Sequence, residues 1–191
     1  MSTPPVGATA APASETDRPA PIQAEPAIME LASVSDRNRI VEIVLGFAAG
    51  TFEATVLFAV RDHMALECAC DWDAVIATFA HPRYEMYGSG AVFDGEAAVR
   101  GYFAASRTPF PDQGNEIIAI GADGDTVLVE FWLTGTHLGP LRVRGREIAP
   151  TGKAFRVRMA ATFEFAPDSD KIVCERPYFD QGAVLRALEI S

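Results

Sequence analysis

The chain predicts an α+β fold, with helices packed on one face of a curved, mostly antiparallel sheet. Two observations point there. The first is an alternating run at residues 155–165. Phe155, Val157, Met159, Ala161, Phe163 and Phe165 fall on one side, and Arg156, Arg158, Ala160, Thr162 and Glu164 on the other. That period of two marks a strand with one buried face. The second is segregation. Helix-period runs crowd the first half and strand-like runs the second, as in folds that stack helices on an antiparallel sheet.

Each element has a local reason. Residues 1–33 are dominated by Pro and Ala, lack periodicity and hold few large apolar side chains, so they read as a disordered tail before a domain at 34–191. Ser35-Asp36 starts a helix over 37–48. A second helix runs over 52–68, with Phe52, Val56, Ala59, Val60, His63 and Leu66 near helical spacing. Asp71 caps a third that ends near residue 80, before His81-Pro82. A short strand at 84–87, a turn at 88–90 and the segment Val92-Phe93-Asp94-Gly95 lead to a helix at 96–106, with Asp94 as N-cap. A strand follows at 115–120 and a turn at 121–125.

Residues 127–137 are rich in β-branched and aromatic side chains and form the next strand. An arginine-bearing connection closes on Pro150-Thr151-Gly152-Lys153. After the 155–165 strand, Asp168-Ser169-Asp170 turns the chain into an antiparallel strand at 171–180. A last helix covers 181–190. Glu130, Arg158 and Asp180 then sit on neighbouring strands, but register decides whether they share a face.

Composition narrows the function. The 191 residues suit one domain, and 49% hydrophobic content suffices for one core. A net charge of −10 argues against nucleic acid and anionic membrane surfaces as partners. Residues 40–60 are apolar but carry Glu42 and Glu53, so buried helices are expected rather than a membrane span. Cys68, Cys70 and Cys174 have no disulfide spacing, which fits reduced thiols and a cytoplasmic location. His63, His81 and His137 lack metal-ligand spacing, and no nucleotide motif is present, so neither metal nor cofactor is expected.

Several residues invite chemistry. Glu130 sits in an apolar strand, where a carboxylate needs a partner. Arg158 or Arg156 can supply a cross-strand ion pair, or Glu130 and Arg158 can line a cavity and orient a carbonyl. His137, at a strand end, is either a rim residue or a general acid. Trp132, Tyr84, Tyr87, Tyr102 and Phe103 are either core or the wall of an apolar pocket. Arg142, Arg144, Arg146 and Lys153 make a local positive patch, either a flap or a solvated loop.

The order and spacing of G-T-H-L-G-P (135–140), P-T-G-K (150–153), the Phe- and Met-rich strand, K-I-V-C-E-R-P-Y-F-D (171–180) and A-V-L-R-A-L-E-I (183–190) resemble the SnoaL-like family. These are polyketide or ester cyclases within the nuclear transport factor 2-like folds, and the resemblance spans about residues 52–190. Departures are Arg176, where relatives often have an aromatic, Leu188-Glu189 in place of Leu-Gly, and a longer connection between 138 and 150.

The resemblance implies a cone-shaped domain with helices on the concave face of its sheet and an enclosed pocket between them. It also implies cofactor-independent acid/base chemistry of a cyclase, isomerase or hydrolase on a small apolar carbonyl compound. It places the working carboxyl at Asp180, with Tyr178 and Phe179 beside it. Burial there would raise the Asp180 pKa. The alternative is that Asp180 only caps the last helix, and that the domain is a non-catalytic module for ligand binding or dimerisation. Relatives commonly form homodimers through the outer sheet face, and the same is expected here.

Overall fold

The computed structural model describes residues 51–143 and 145–190. The expected tail at 1–33 and helix at 37–48 lie outside the described residues.

Helix α1 (Phe52–Ala69) begins where the Thr51 side chain accepts from the Ala54 N–H at 3.1 Å. It ends at Cys70, in the left-handed region at φ 55°. Asp71 caps α2 (Trp72–Ala77) by accepting from the Ala74 N–H. That helix stops three residues before the expected end, because Phe79 bridges to Ile172 in the sheet. Strands β1 (Arg83–Glu85) and β2 (Val92–Asp94) pair as a hairpin before α3 (Glu96–Arg107).

Asp94 does not cap α3. Gly95 takes that place at φ 84°, and the Asp94 carboxylate instead receives His81 Nε2 at 2.8 Å and Arg83 at 3.3 Å. Strand β3 (Gly114–Asp123) is longer than expected, since residues 121–123 pair with 126–128 and only Gly124, at φ 59°, and Asp125 make the tight turn. It leads to β4 (Thr126–Thr136), β5 (Leu141–Val143), β6 (Arg146–Ile148), β7 (Ala154–Phe165), β8 (Ile172–Phe179) and α4 (Gln181–Ala187).

The main sheet is curved and unclosed, with strand order β2-β1-β8-β7-β4-β3. It is antiparallel except where β1 runs parallel to β8, with Tyr84 opposite Glu175. The expected α+β class is the observed one. Register places Trp132 opposite Arg158 and Glu130 opposite Ala160. The inward sides of β4 and β7 carry Val127, Val129, Phe131, Ala161, Phe163 and Phe165, which pack against Val56, Val60 and Met64 of α1 and Val99 and Phe103 of α3. A second cluster joins Phe110, Phe155 and Val157 to Val184 and Leu188 at the chain's far end.

Arg176 has a structural role. It bonds Glu85 on β1 at 2.7 Å and Glu164 on β7 at 2.8 Å, tying three adjacent strands together. Those two carboxylates hold its guanidinium pKa above the usual range, against the opposing effect of partial burial.

The long connection is a β5–β6 hairpin turned at Gly145, φ 76°. Both its feet are fixed. The Leu138 and Gly139 N–H groups donate to the Pro109 carbonyl at 3.0 and 3.2 Å, and a Cβ on Gly139 would stand 1.9 Å from the Thr108 carbonyl oxygen. The His137 N–H donates to the Lys153 carbonyl, and the Gly152 N–H donates back to the His137 carbonyl. No described helix is long and apolar enough to cross a membrane.

Candidate functional site

A cavity of about 190 Å³ opens between α3, α4 and the inner face of the sheet. Met86, Tyr102, Phe110, Leu133, Phe155 and Met159 supply much of its wall, and Leu141 of the hairpin and Leu185 of α4 complete one side. Its polar groups are Tyr102, Ser106, Gln113 and Gln181. No carboxylate and no imidazole is among its lining residues. Burial, reinforced by the charges of Glu67 and Glu175, pushes the Tyr102 phenol far up, so it stays protonated. The arrangement suits a neutral, mostly apolar molecule held by a few hydrogen bonds.

None of the six residues singled out as catalytic or substrate-binding lines this cavity, but Tyr102, read from the sequence as a possible pocket wall, does. Glu130, Trp132 and Arg158 lie on the outward face of the sheet. Arg158 Nε sits 3.2 Å from Glu130 Oε1, and the guanidinium carbons of Arg156 and Arg158 stack 4.0 and 5.1 Å from the Trp132 ring centre. The β-strand period of two explains this. Glu130 and Trp132 alternate with the buried Val129 and Phe131, so they must point the other way. Tyr178, opposite Ala160, is also on that face and packs on Tyr87 with ring centres 4.9 Å apart.

His137 is not a rim residue. It is fully buried under the hairpin, and its Nδ1 accepts from the Thr151 N–H at 3.3 Å. Its Nε2 has no hydrogen-bond partner among the described residues. It fixes the feet of the hairpin and is closed to a substrate.

Asp180 occupies the N-cap position of α4, but its side chain makes no cap bond. Its carboxylate is 62% exposed and pairs with Arg186 at 2.7 Å. Arg186 therefore holds its pKa below the usual carboxylate value, and the expected rise by burial does not occur. Asp180 faces a neighbouring cleft of about 320 Å³, which shares Met86, Phe179 and Gln181 with the cavity. The positive patch is partly neutralised: Arg142 pairs with Glu147, and Lys153 with Glu189.

Sequence reasoning missed a buried polar group behind the cavity. His63 and Glu67 of α1, Tyr84 of β1 and Glu175 of β8 converge in the core. The Tyr84 hydroxyl donates to Glu67 Oε1 at 2.8 Å, and its ring lies 5.2 Å from that of Tyr102. Burial lowers the His63 pKa, but Glu175 and Glu67 outweigh it and the net shift is upward. Burial, then the charge of Glu67, raises Glu175. Both directions fit a proton shared between His63 and Glu175. The available signal was the spacing His63-x-x-x-Glu67, which puts both side chains on one helical face.

A profile of the SnoaL-like domain matches residues 60–175, so the chain belongs to the SnoaL-like family. Solved structures share the fold. A protein described as a SnoaL-like polyketide cyclase from Jannaschia sp. CCS1 is 21% identical with a TM-score of 0.64, covering 74% of this chain and 96% of its own. A polyketide cyclase-like protein from Streptomyces antibioticus is 19% identical with a TM-score of 0.59, covering 69% and 96%. An epoxide hydrolase of the LEH-like type from M. tuberculosis is 22% identical with a TM-score of 0.54, covering 73% and 92%. No curated protein matches the sequence.

Proposed function

We propose that this domain binds a small, neutral, mostly apolar carbonyl compound in the cavity between α3, α4 and the sheet. The observation that carries the reading is the lining: aromatic, Leu and Met side chains around Tyr102, Gln113 and Gln181, with no ionisable carboxylate or imidazole. Apolar walls supply most of the affinity through burial, and amide or hydroxyl donors orient a carbonyl oxygen. The volume lies below the ~300–1,000 Å³ common for drug-sized ligands, which favours a compact molecule over an extended chain. Acetophenone is a suitable probe. It should raise the melting temperature in the wild type and lose that effect in Leu185→Trp, whose indole fills one side. Equal shifts in both proteins would refute the reading.

A second reading is cofactor-independent acid/base catalysis on such a compound, of the cyclase, isomerase or hydrolase class. It is favoured by Asp180, whose cleft shares three residues with the cavity. There the carboxylate would act in its ionised form, as a base held by Arg186. Asp180→Asn keeps the size and the cap preference but removes proton transfer. Loss of turnover with unchanged ligand binding would support it, and full turnover in that variant would end it.

A further inference from the structure

We propose that His63, Glu67 and Glu175 form a binding site for one divalent transition cation of the zinc or cobalt type, distinct from the ligand cavity. The three donor atoms lie within 4.8 Å of one another. His63 Nε2 is 3.3 Å from Glu175 Oε2 and 3.9 Å from Glu67 Oε1. Ligands at zinc's bond lengths in a tetrahedral shell stand ~3.3–3.5 Å apart, so small side-chain rotations bring all three onto one ion.

Three features favour a cation over a purely structural cluster. The first is the orientation of His63. The Thr78 hydroxyl donates to the Val75 carbonyl at 2.6 Å, so it can only accept from His63 Nδ1–H at 2.7 Å. That leaves Nε2 as the nitrogen facing the carboxylates, where an incoming cation would displace its proton, and it is the supporting bond typical of a ligating imidazole. The second is Glu175 Oε2. It is buried and has no hydrogen-bond partner among the described residues, although it faces His63 Nε2. The third is charge. Two carboxylates converge on one imidazole, which can balance only one of them, whereas one divalent ion balances both.

The Tyr84 hydroxyl bonds Glu67 Oε1 and orients it from outside the shell, or completes a fourth position 3.4 Å from His63 Nε2. One imidazole and two carboxylates suit a borderline or hard first-row cation rather than a soft one. The Glu67 side chain, 15% exposed, gives the ion its way in. No donor atom belongs to a residue lining the cavity, so the ion would join α1 to β8 and stiffen the wall behind Tyr102.

The test uses the full chain, stripped with a chelator and dialysed, then titrated with Zn²⁺ by calorimetry and with Co²⁺ by visible absorption. We expect one equivalent per chain and Co²⁺ bands in the visible range. Glu67→Gln, at the exposed edge and least disruptive to folding, should weaken binding at least ~100-fold, as loss of a direct ligand exceeds loss of a supporting bond. Glu175→Gln should do the same if it folds. His81→Asn, which removes the exposed His81–Asp94 pair, should leave binding unchanged. Absence of stoichiometric binding, undiminished binding in Glu67→Gln, or loss in His81→Asn would each overturn the proposal. Because the metal alone is the probe, the result is independent of whether the cavity binds acetophenone.

Discussion

Two interior regions share Tyr102 as a wall and differ in almost everything else. The cavity holds space without charge: Phe110, Phe155, Leu133 and Met159 surround a void whose polar groups are neutral. The His63–Glu67–Tyr84–Glu175 group holds charge without space, its side chains packed against Phe79 and Phe163. The contrast teaches where each can yield. A void tolerates change in shape because its walls already lack neighbours on one side. A buried ionic group does not, because any partner removed leaves another uncompensated.

The contrast can be broken most forcefully at His63. His63→Leu strands two carboxylates in the core and should cost about 3–5 kcal/mol in urea unfolding. Adding Glu175→Gln should recover part of that loss. A double variant less stable than the single one would show that the two groups are not coupled. A smaller effect is expected across the cavity. Leu185→Ala enlarges an existing void from a half-buried position and should cost about 1–2 kcal/mol, below the usual range for a fully buried Leu. A loss matching His63→Leu would erase the distinction between the two regions.

The outward sheet face provides the baseline. Glu130→Ala should change stability by no more than ~1 kcal/mol, since its pair with Arg158 is half exposed. Smallest is the Asp180–Arg186 pair. Its folded-state pKa is depressed, so its stabilisation is present above the unfolded pKa and fades as pH falls through the folded value. Arg186→Ala should move the Asp180 titration upward in a carbonyl-detected NMR series, and an unmoved titration would show that Arg186 is not the cause.

Legibility followed the range of the interactions. The inward and outward faces of β7 could be read directly, because alternation is local and only one side is buried. The pairing of β1 with β8 could not, since it joins Tyr84 to Glu175 across most of the domain. The candidate sites divided along the same line. Glu130, Trp132 and Arg158 stood out as polar or aromatic residues in strong strands, and alternation with the buried Val129, Phe131 and Val157 puts them on the outward face. The cavity walls come from α3, α4, β4, β7 and the hairpin, a convergence no single window of sequence contains. His63 and Glu67 were on view as one helical face, whereas Glu175 joins them only through the parallel pairing. Homodimerisation through the outer face remains a proposal, suited to sedimentation at micromolar concentration.

The β5–β6 hairpin has a use in engineering. Its feet are tied to each other through His137 and to the Pro109 carbonyl, while its turn at Gly145 is exposed. Lengthening the chain at that turn adds only the slowly growing entropy of a longer closed loop, about 0.6 kcal/mol for each doubling. A reporter peptide or a second folded module spliced in at Gly145 would leave the feet in place. Leu141 would still be held against the cavity, so such a chimera could report ligand occupancy from outside the domain.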